Sequence, residues 1–172
     1  ESYEAWIKAR PADDFAVVAP YLEKTLHFSR QLANFFPGYQ HMADPLIEQN
    51  DYGMTVATVK PLLHELRAQL LLLVKALGTQ PQVDDSCLFQ HFPEKQQWDF
   101  AVAVIKQFGY DFERGRQDKT HHPFMTKFSL GDVRITTRIS EEHLSEGLFG
   151  TLHEAGHALY EQGIAPAFER TP

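Results

Sequence analysis

The sequence predicts a mainly α fold with one small antiparallel β-hairpin placed before its last helix. Three observations support this. Apolar residues recur at helical spacing through most of the 172 positions. Period-two alternation is confined to residues 126–138. Proline and glycine sit where those patterns stop.

Taken in order, the first sustained helix is expected to open at Pro20, because a first-turn proline loses no intrahelical bond. Leu22, Leu26, Ser29, Leu32 and Ala33 then follow one face up to the stop before Pro37-Gly38. A short helical piece over 44–49 precedes a turn at Asp51-Tyr52-Gly53. Thr55 is placed to cap a long helix ending at Gly78, with Pro61 in an early turn or at a kink. Along it Leu62, Leu63, Leu66, Leu70, Leu73, Val74 and Leu77 form a broad apolar stripe. Pro93 opens the next helix, with Trp98, Val102, Ile105 and Phe108 facing inward and Gly109 closing it. The alternating segment 126–138 is centred on Gly131-Asp132, a pair suited to a two-residue hairpin turn. Ser140 is the expected cap of the last helix, with Glu141 and Glu142 complementing its positive end and Gly163, then Pro166, terminating it.

With 43% hydrophobic and 12% aromatic residues, the chain can bury a real core, and it reads as one domain. A formal charge of −7 with no clustered Lys and Arg argues against a nucleic-acid surface. The lone Cys87 excludes an internal disulfide and fits a reducing compartment, so a cytoplasmic protein is expected. Leu70–Val74 is far shorter than the roughly 20 residues of a membrane span, and the opening residues do not read as a secretory leader.

The last helix carries His153-Glu154-Ala155-Gly156-His157. Residues four apart share a helix face, so both imidazoles can aim at one point and fill two corners of a tetrahedral zinc site. Glu154 cannot share that geometry well, but it can face a water at an open corner and serve as general base. Gly147, Gly150 and Gly156 each cost about 1 kcal/mol relative to Ala inside a helix, which suggests close packing against it. This helix with the hairpin before it makes a zincin-like domain. The hairpin can offer an edge strand to an extended peptide, or serve only as a ribbon capping the helices.

The spacing also arises by chance, so an accidental motif in a non-catalytic helical interaction domain stays open, as does another HExxH zinc aminopeptidase or endopeptidase. His27, His41, His64 and His91 stand singly and read as ordinary polar residues. In His121-His122-Pro123-Phe124 the proline fixes the backbone just before the hairpin, and the pair could orient substrate or hold the loop.

Three segments, His122-Pro-Phe124, Asp132-Val-Arg-Ile-Thr136 and His153-Glu-Ala-Gly-His157, together resemble the HPF, DxRxT and HExxH motifs of the carboxypeptidase Taq family of zinc metallocarboxypeptidases. The resemblance implies a mainly helical, homodimeric cytoplasmic hydrolase that removes C-terminal amino acids from peptides with a zinc or cobalt ion. It makes His153 and His157 metal ligands and Glu154 the base. His122, Asp132, Arg134 and Thr136 receive substrate-side or supporting roles.

In that family the third ligand is a glutamate in a later HES-type motif, which is absent from this sequence. Glu161 lies a further turn along the helix, about 5.4 Å past His157, and Glu169 follows too closely for an antiparallel return. Residues 1–172 are therefore expected to be a single partial domain, an internal fragment of a larger metallopeptidase. It would hold two ligands and the base, be inactive alone, and rely on the remainder of the parent polypeptide.

Overall fold

An aspartate, not a proline, decides where the second helix begins. The computed structural model describes residues 1–171, whose contacts fall into two compact units, Glu1–Gln82 and Val83–Pro172. The N-terminal unit contains α1 (Ser2–Ala12), α2 (Phe15–Asn34), α3 (Asp44–Glu48) and α4 (Val56–Gly78). Asp14 accepts a 3.0 Å bond from Ala16 N, so α2 starts at Phe15 and Pro20 falls inside it. Pro20 is exposed, where water can hydrate the carbonyl its ring leaves without a donor. The sequence also did not announce α1, because its buried positions are only Ala5 and Ala9. Those small residues let α1 and α2 pack together, and Asp13, at φ 48°, reverses the chain between them.

The start and end of α4 are as expected, yet the Thr55 hydroxyl makes no capping bond. Buried Asp44 does that work from α3, accepting from Val56 N at 2.8 Å and from His41 N at 2.9 Å. The Val56 bond is the main reason its carboxyl is held below the usual range. The leucine stripe is present, but no residue of α4 is buried, and Leu62 is 62% exposed.

The C-terminal unit contains α5 (Glu94–Phe108), β1 (Gln117–Lys119), β2 (Met125–Ser129), β3 (Asp132–Thr137) and α6 (Ser145–Gln162), with short 3-10 turns between and after them. The hairpin β2–β3 is antiparallel, but its loop is Leu130-Gly131, because Asp132 already pairs with Ser129 after an irregularity at Lys127/Ser129. A third strand, unexpected at three residues, adds parallel to β3 and gives the order β1-β3-β2. In α5 the buried face is Gln97, Ala101 and Ile105, while Trp98 and Val102 are half-buried and Phe108 is exposed. The face turns toward Gln97 because its amide donates 2.8 Å bonds to the carbonyls of Phe92 and Ser140.

Ser140 does not cap α6. It forms a bridge with His143 and accepts from Glu142 N, so the helix starts only at Ser145, where His143 Nδ1 accepts from Glu146 N. Val133 and Ile135 of β3, Ala155 and Ala158 of α6, Ile105 and Tyr110 form the buried core. Of the three glycines expected to be tightly packed, only Gly147 is, since a Cβ there would lie 3.0 Å from Gln97 Oε1. Gly150 makes an ordinary contact with Pro123, and Gly156 faces open space.

Candidate metal centre

The buried face of α6 is Gly147, Thr151, Glu154, Ala155, Ala158 and Gln162, a helical stripe turned toward the core. His153 and His157 lie beside it on an exposed face. Their Nε2 atoms are 3.2 Å apart and their rings are nearly perpendicular, at 80°. Metal–nitrogen bonds of about 2.0–2.1 Å at a tetrahedral angle place two ligand nitrogens about 3.3 Å apart. The two side chains therefore already span one edge of such a polyhedron.

Glu154 is 7% exposed and makes no hydrogen bond or ion pair among the described residues. Its stem is buried but its carboxylate oxygens still reach solvent, so the group is open to a water or to a partner from elsewhere. No third ligand joins the pair: among the described residues no group of three His, Cys, Asp or Glu could hold a metal. Glu161 is paired at 2.9 Å with Lys127, and Glu169 accepts from Leu130 N at 2.9 Å.

The other expected site residues divide into two groups. Pro123 lies 3.9 Å from where a Cβ on Gly150 would be, and Arg138 joins the His121 carbonyl to the Glu146 carboxylate. Glu146, Gly150, His153 and His157 follow one another at i, i+4, i+7 and i+11, so the loop bearing exposed His122 sits on the histidine-bearing face of α6, at its N-terminal end. Thr136 belongs with it. Its hydroxyl donates to the Phe124 carbonyl at 3.0 Å and accepts from Phe124 N at 2.8 Å, which binds the HPF segment to β3.

Asp132 and Arg134 share the face of β3 that carries Thr136, but lie toward the hairpin turn, away from the HPF loop. They alternate with Val133 and Ile135 and so occupy the sheet face opposite α6, joined by two 2.7 Å bonds, with the guanidinium 5.0 Å from the Phe128 ring. Each holds the other charged: the bonds from Arg134 lower the Asp132 carboxyl below its usual range, and Asp132 raises Arg134.

Some residues that shape the site gave no sequence signal. Gln162 amide pairs with both backbone groups of Asp111, at 3.0 and 2.9 Å, and fastens the end of α6. Tyr110 donates to the Val133 carbonyl at 2.8 Å, and burial pushes its hydroxyl up to about 12. Gly115 passes so close that a Cβ would lie 2.0 Å from that carbonyl oxygen. Arg138 could have been found, because it continues the Asp132, Arg134, Thr136 alternation.

The whole chain, residues 1–172, matches the family model described as carboxypeptidase Taq (M32) metallopeptidase. It belongs to the M32 family. Carboxypeptidase 1 of Bacillus subtilis is 38% identical over 170 residues, 97% of this chain and 34% of that protein. Thermostable carboxypeptidase 1 of Thermus thermophilus is also 38% identical, over 100% of this chain and 36% of that protein. The crystal structure of the M32 carboxypeptidase from Deinococcus radiodurans R1 is 50% identical and superposes with a TM-score of 0.79, covering 97% of this chain and 34% of that one. The chain thus spans about a third of the length of the M32 relatives it matches. Family membership implies a divalent metal, and the paired imidazoles fit one.

Proposed function

We propose that His153 and His157 hold a divalent metal, zinc or cobalt, and that Glu154 is the general base of a metallocarboxypeptidase acting on peptides. The observation that carries this reading is the pair of Nε2 atoms 3.2 Å apart, with a carboxylate on the adjoining residue that makes no hydrogen bond among the described residues and still reaches solvent. A metal held there supplies Lewis acidity toward a water and a peptide carbonyl. The Glu154 carboxylate takes the proton from the attacking water and returns it to the amine of the departing C-terminal amino acid. The outer edge of β2 is left unpaired in the three-stranded sheet, which supports main-chain pairing with an extended peptide. His122, on the metal face of α6, supports a contact to substrate. Asp132, Arg134 and Thr136 support this strand and loop from behind.

The 172 residues act as a single partial domain of a larger metallopeptidase, with the third ligand supplied by the remainder of the parent polypeptide. Two ligands hold zinc weakly, so these residues alone have little turnover. The uncovered leucines of α4 support association with a second copy, as a homodimer. The exposed free Cys87 and the acidic balance support a cytoplasmic location without nucleic-acid or membrane partners, and among the described residues no helix is long and apolar enough to cross a membrane.

The test is hydrolysis of N-blocked peptides with added zinc or cobalt. The complete enzyme should release residues one at a time from the C-terminus, and the 172-residue chain should show little turnover. Cleavage within the peptide or from its N-terminus would replace this reading with an endopeptidase or aminopeptidase. Equal metal content in the wild-type chain and in His153→Ala would leave only an interaction domain.

A further inference from the structure

Thr137 ends β3 and Thr151 lies on α6 three residues before Glu154, and both side chains are fully buried. A threonine inside a helix ordinarily turns its hydroxyl back to the carbonyl four residues earlier, which for Thr151 is Gly147. Here the pattern is different. Thr151 Oγ1 donates to Thr137 Oγ1 at 2.9 Å, and Thr137 Oγ1 donates to the Gly147 carbonyl at 3.3 Å. The strand residue has taken the helix residue's local partner and offers itself in exchange.

Beside the Arg138–Glu146 ion pair at the solvent side of its first turn, α6 meets β3 through Ala155 and Ala158 against Val133 and Ile135. Such apolar contacts are nondirectional and made by small side chains, so they tolerate a small slide or rotation of the helix. The buried hydroxyl bonds do not, and unlike the surface ion pair they sit one turn from Glu154. Thr151 and Glu154 share the buried stripe, so whatever fixes the rotation of α6 at Thr151 also fixes the direction of the carboxylate one turn on.

We propose that Thr137 and Thr151 form a positioning pair that sets the register of α6 on β3, and through it the aim of Glu154. This rests on Glu154 being the base of the proposed reaction. Neither threonine touches the reacting atoms. A valine pair would fill the same space, so what the hydroxyls add is direction. A misplacement of about 1 Å at a reacting group can cost on the order of 100-fold in rate.

The experiment compares Thr137→Val and Thr137→Ser in the complete metal-loaded enzyme, reading Tm, kcat and KM together, with Glu154→Gln alongside. In Thr137→Val the Thr151 hydroxyl can fall back on the Gly147 carbonyl, so the fold keeps its hydrogen bonds while the link to the strand is cut. The expected result is a Tm within a few degrees of wild type, kcat lowered 10-fold or more, KM within about twofold, and recovery in Thr137→Ser. Should Thr137→Val fail to fold, Thr137→Ala replaces it, since it removes the same hydroxyl with less bulk in the strand. Wild-type kcat in the valine variant would overturn the proposal, as would a loss of kcat that only follows the folded fraction and is equal in Thr137→Ser. Unchanged turnover in Glu154→Gln would instead overturn the assignment of the base.

Discussion

The two units of this chain use their apolar residues in opposite ways. From Val83 onward, Ile105, Val133 and Ile135 are fully buried, and directed bonds from Gln97, Tyr110, Thr151 and Gln162 fix the elements around them. Before that, α4 carries more leucine than any other element and buries none of it. A helix's own pattern states that it has an apolar face, but only the rest of the structure states what covers that face.

Substitutions can break this contrast or sharpen it. The largest effect is expected from Glu154→Gln in the complete metal-loaded enzyme, where kcat should fall by roughly 100- to 10,000-fold with the circular dichroism spectrum unchanged. Retained turnover would leave the Glu154 carboxylate without a chemical role. Next comes Gly115→Ala. Its backbone is extended and tolerates any residue, but the added methyl would meet the Val133 carbonyl at 2.0 Å, so a loss of about 1–3 kcal/mol in denaturant unfolding is expected.

Tyr110→Phe removes the bond to the same carbonyl and should cost about 1–2 kcal/mol near neutral pH. The Tyr110 hydroxyl is raised from 10.0 to about 12, so the folded state favours its protonated form. That contribution is present below pH 10 and is lost as pH rises from 10 through 12. Melting temperatures should therefore fall over that window in the wild type and fall less in the phenylalanine variant. The smallest stability effect belongs to α4: Leu66→Ser and Leu70→Ser should change unfolding by no more than about 0.5 kcal/mol, because both positions are exposed. The same pair should weaken self-association in sedimentation, and a large drop in stability would show that α4 is covered after all.

Much of this was legible from residue type and spacing. Gly78, Gly109 and Gly163 mark helix ends, the alternation of 126–138 gives two strands, and the HExxH spacing places two imidazoles on one face. What failed involves either a neighbour that outcompeted the expected signal or a partner on another element. Ser140 looked like a cap because serine often is one, but the bridge to His143 claimed it and moved the helix start to Ser145. Pro20 looked like a first turn, but Asp14, a capping residue type six positions earlier, starts the helix first. Strand β1 has three residues and no alternation, and it exists because β3 offers an edge. The likeness of Asp132 and Arg134 to a motif gave no hint that they face away from α6, since that depends on which side of the strand the helix covers.

One contact bears on how the chain is made. Pro93 gives α5 no side-chain cap, and its first turn is completed by Glu141, whose carboxylate accepts from Glu94 N at 2.8 Å while its carbonyl accepts from Phe92 N at 2.9 Å. The two partners are 47 positions apart. At about 5–20 residues per second, a ribosome exposes that cap roughly 2–10 s after the turn it completes. During that interval the Glu94 N–H has only water for a partner. The helix acquires its final end only when the loop leading into the histidine-bearing helix has emerged, so the two helices mature as one step of synthesis.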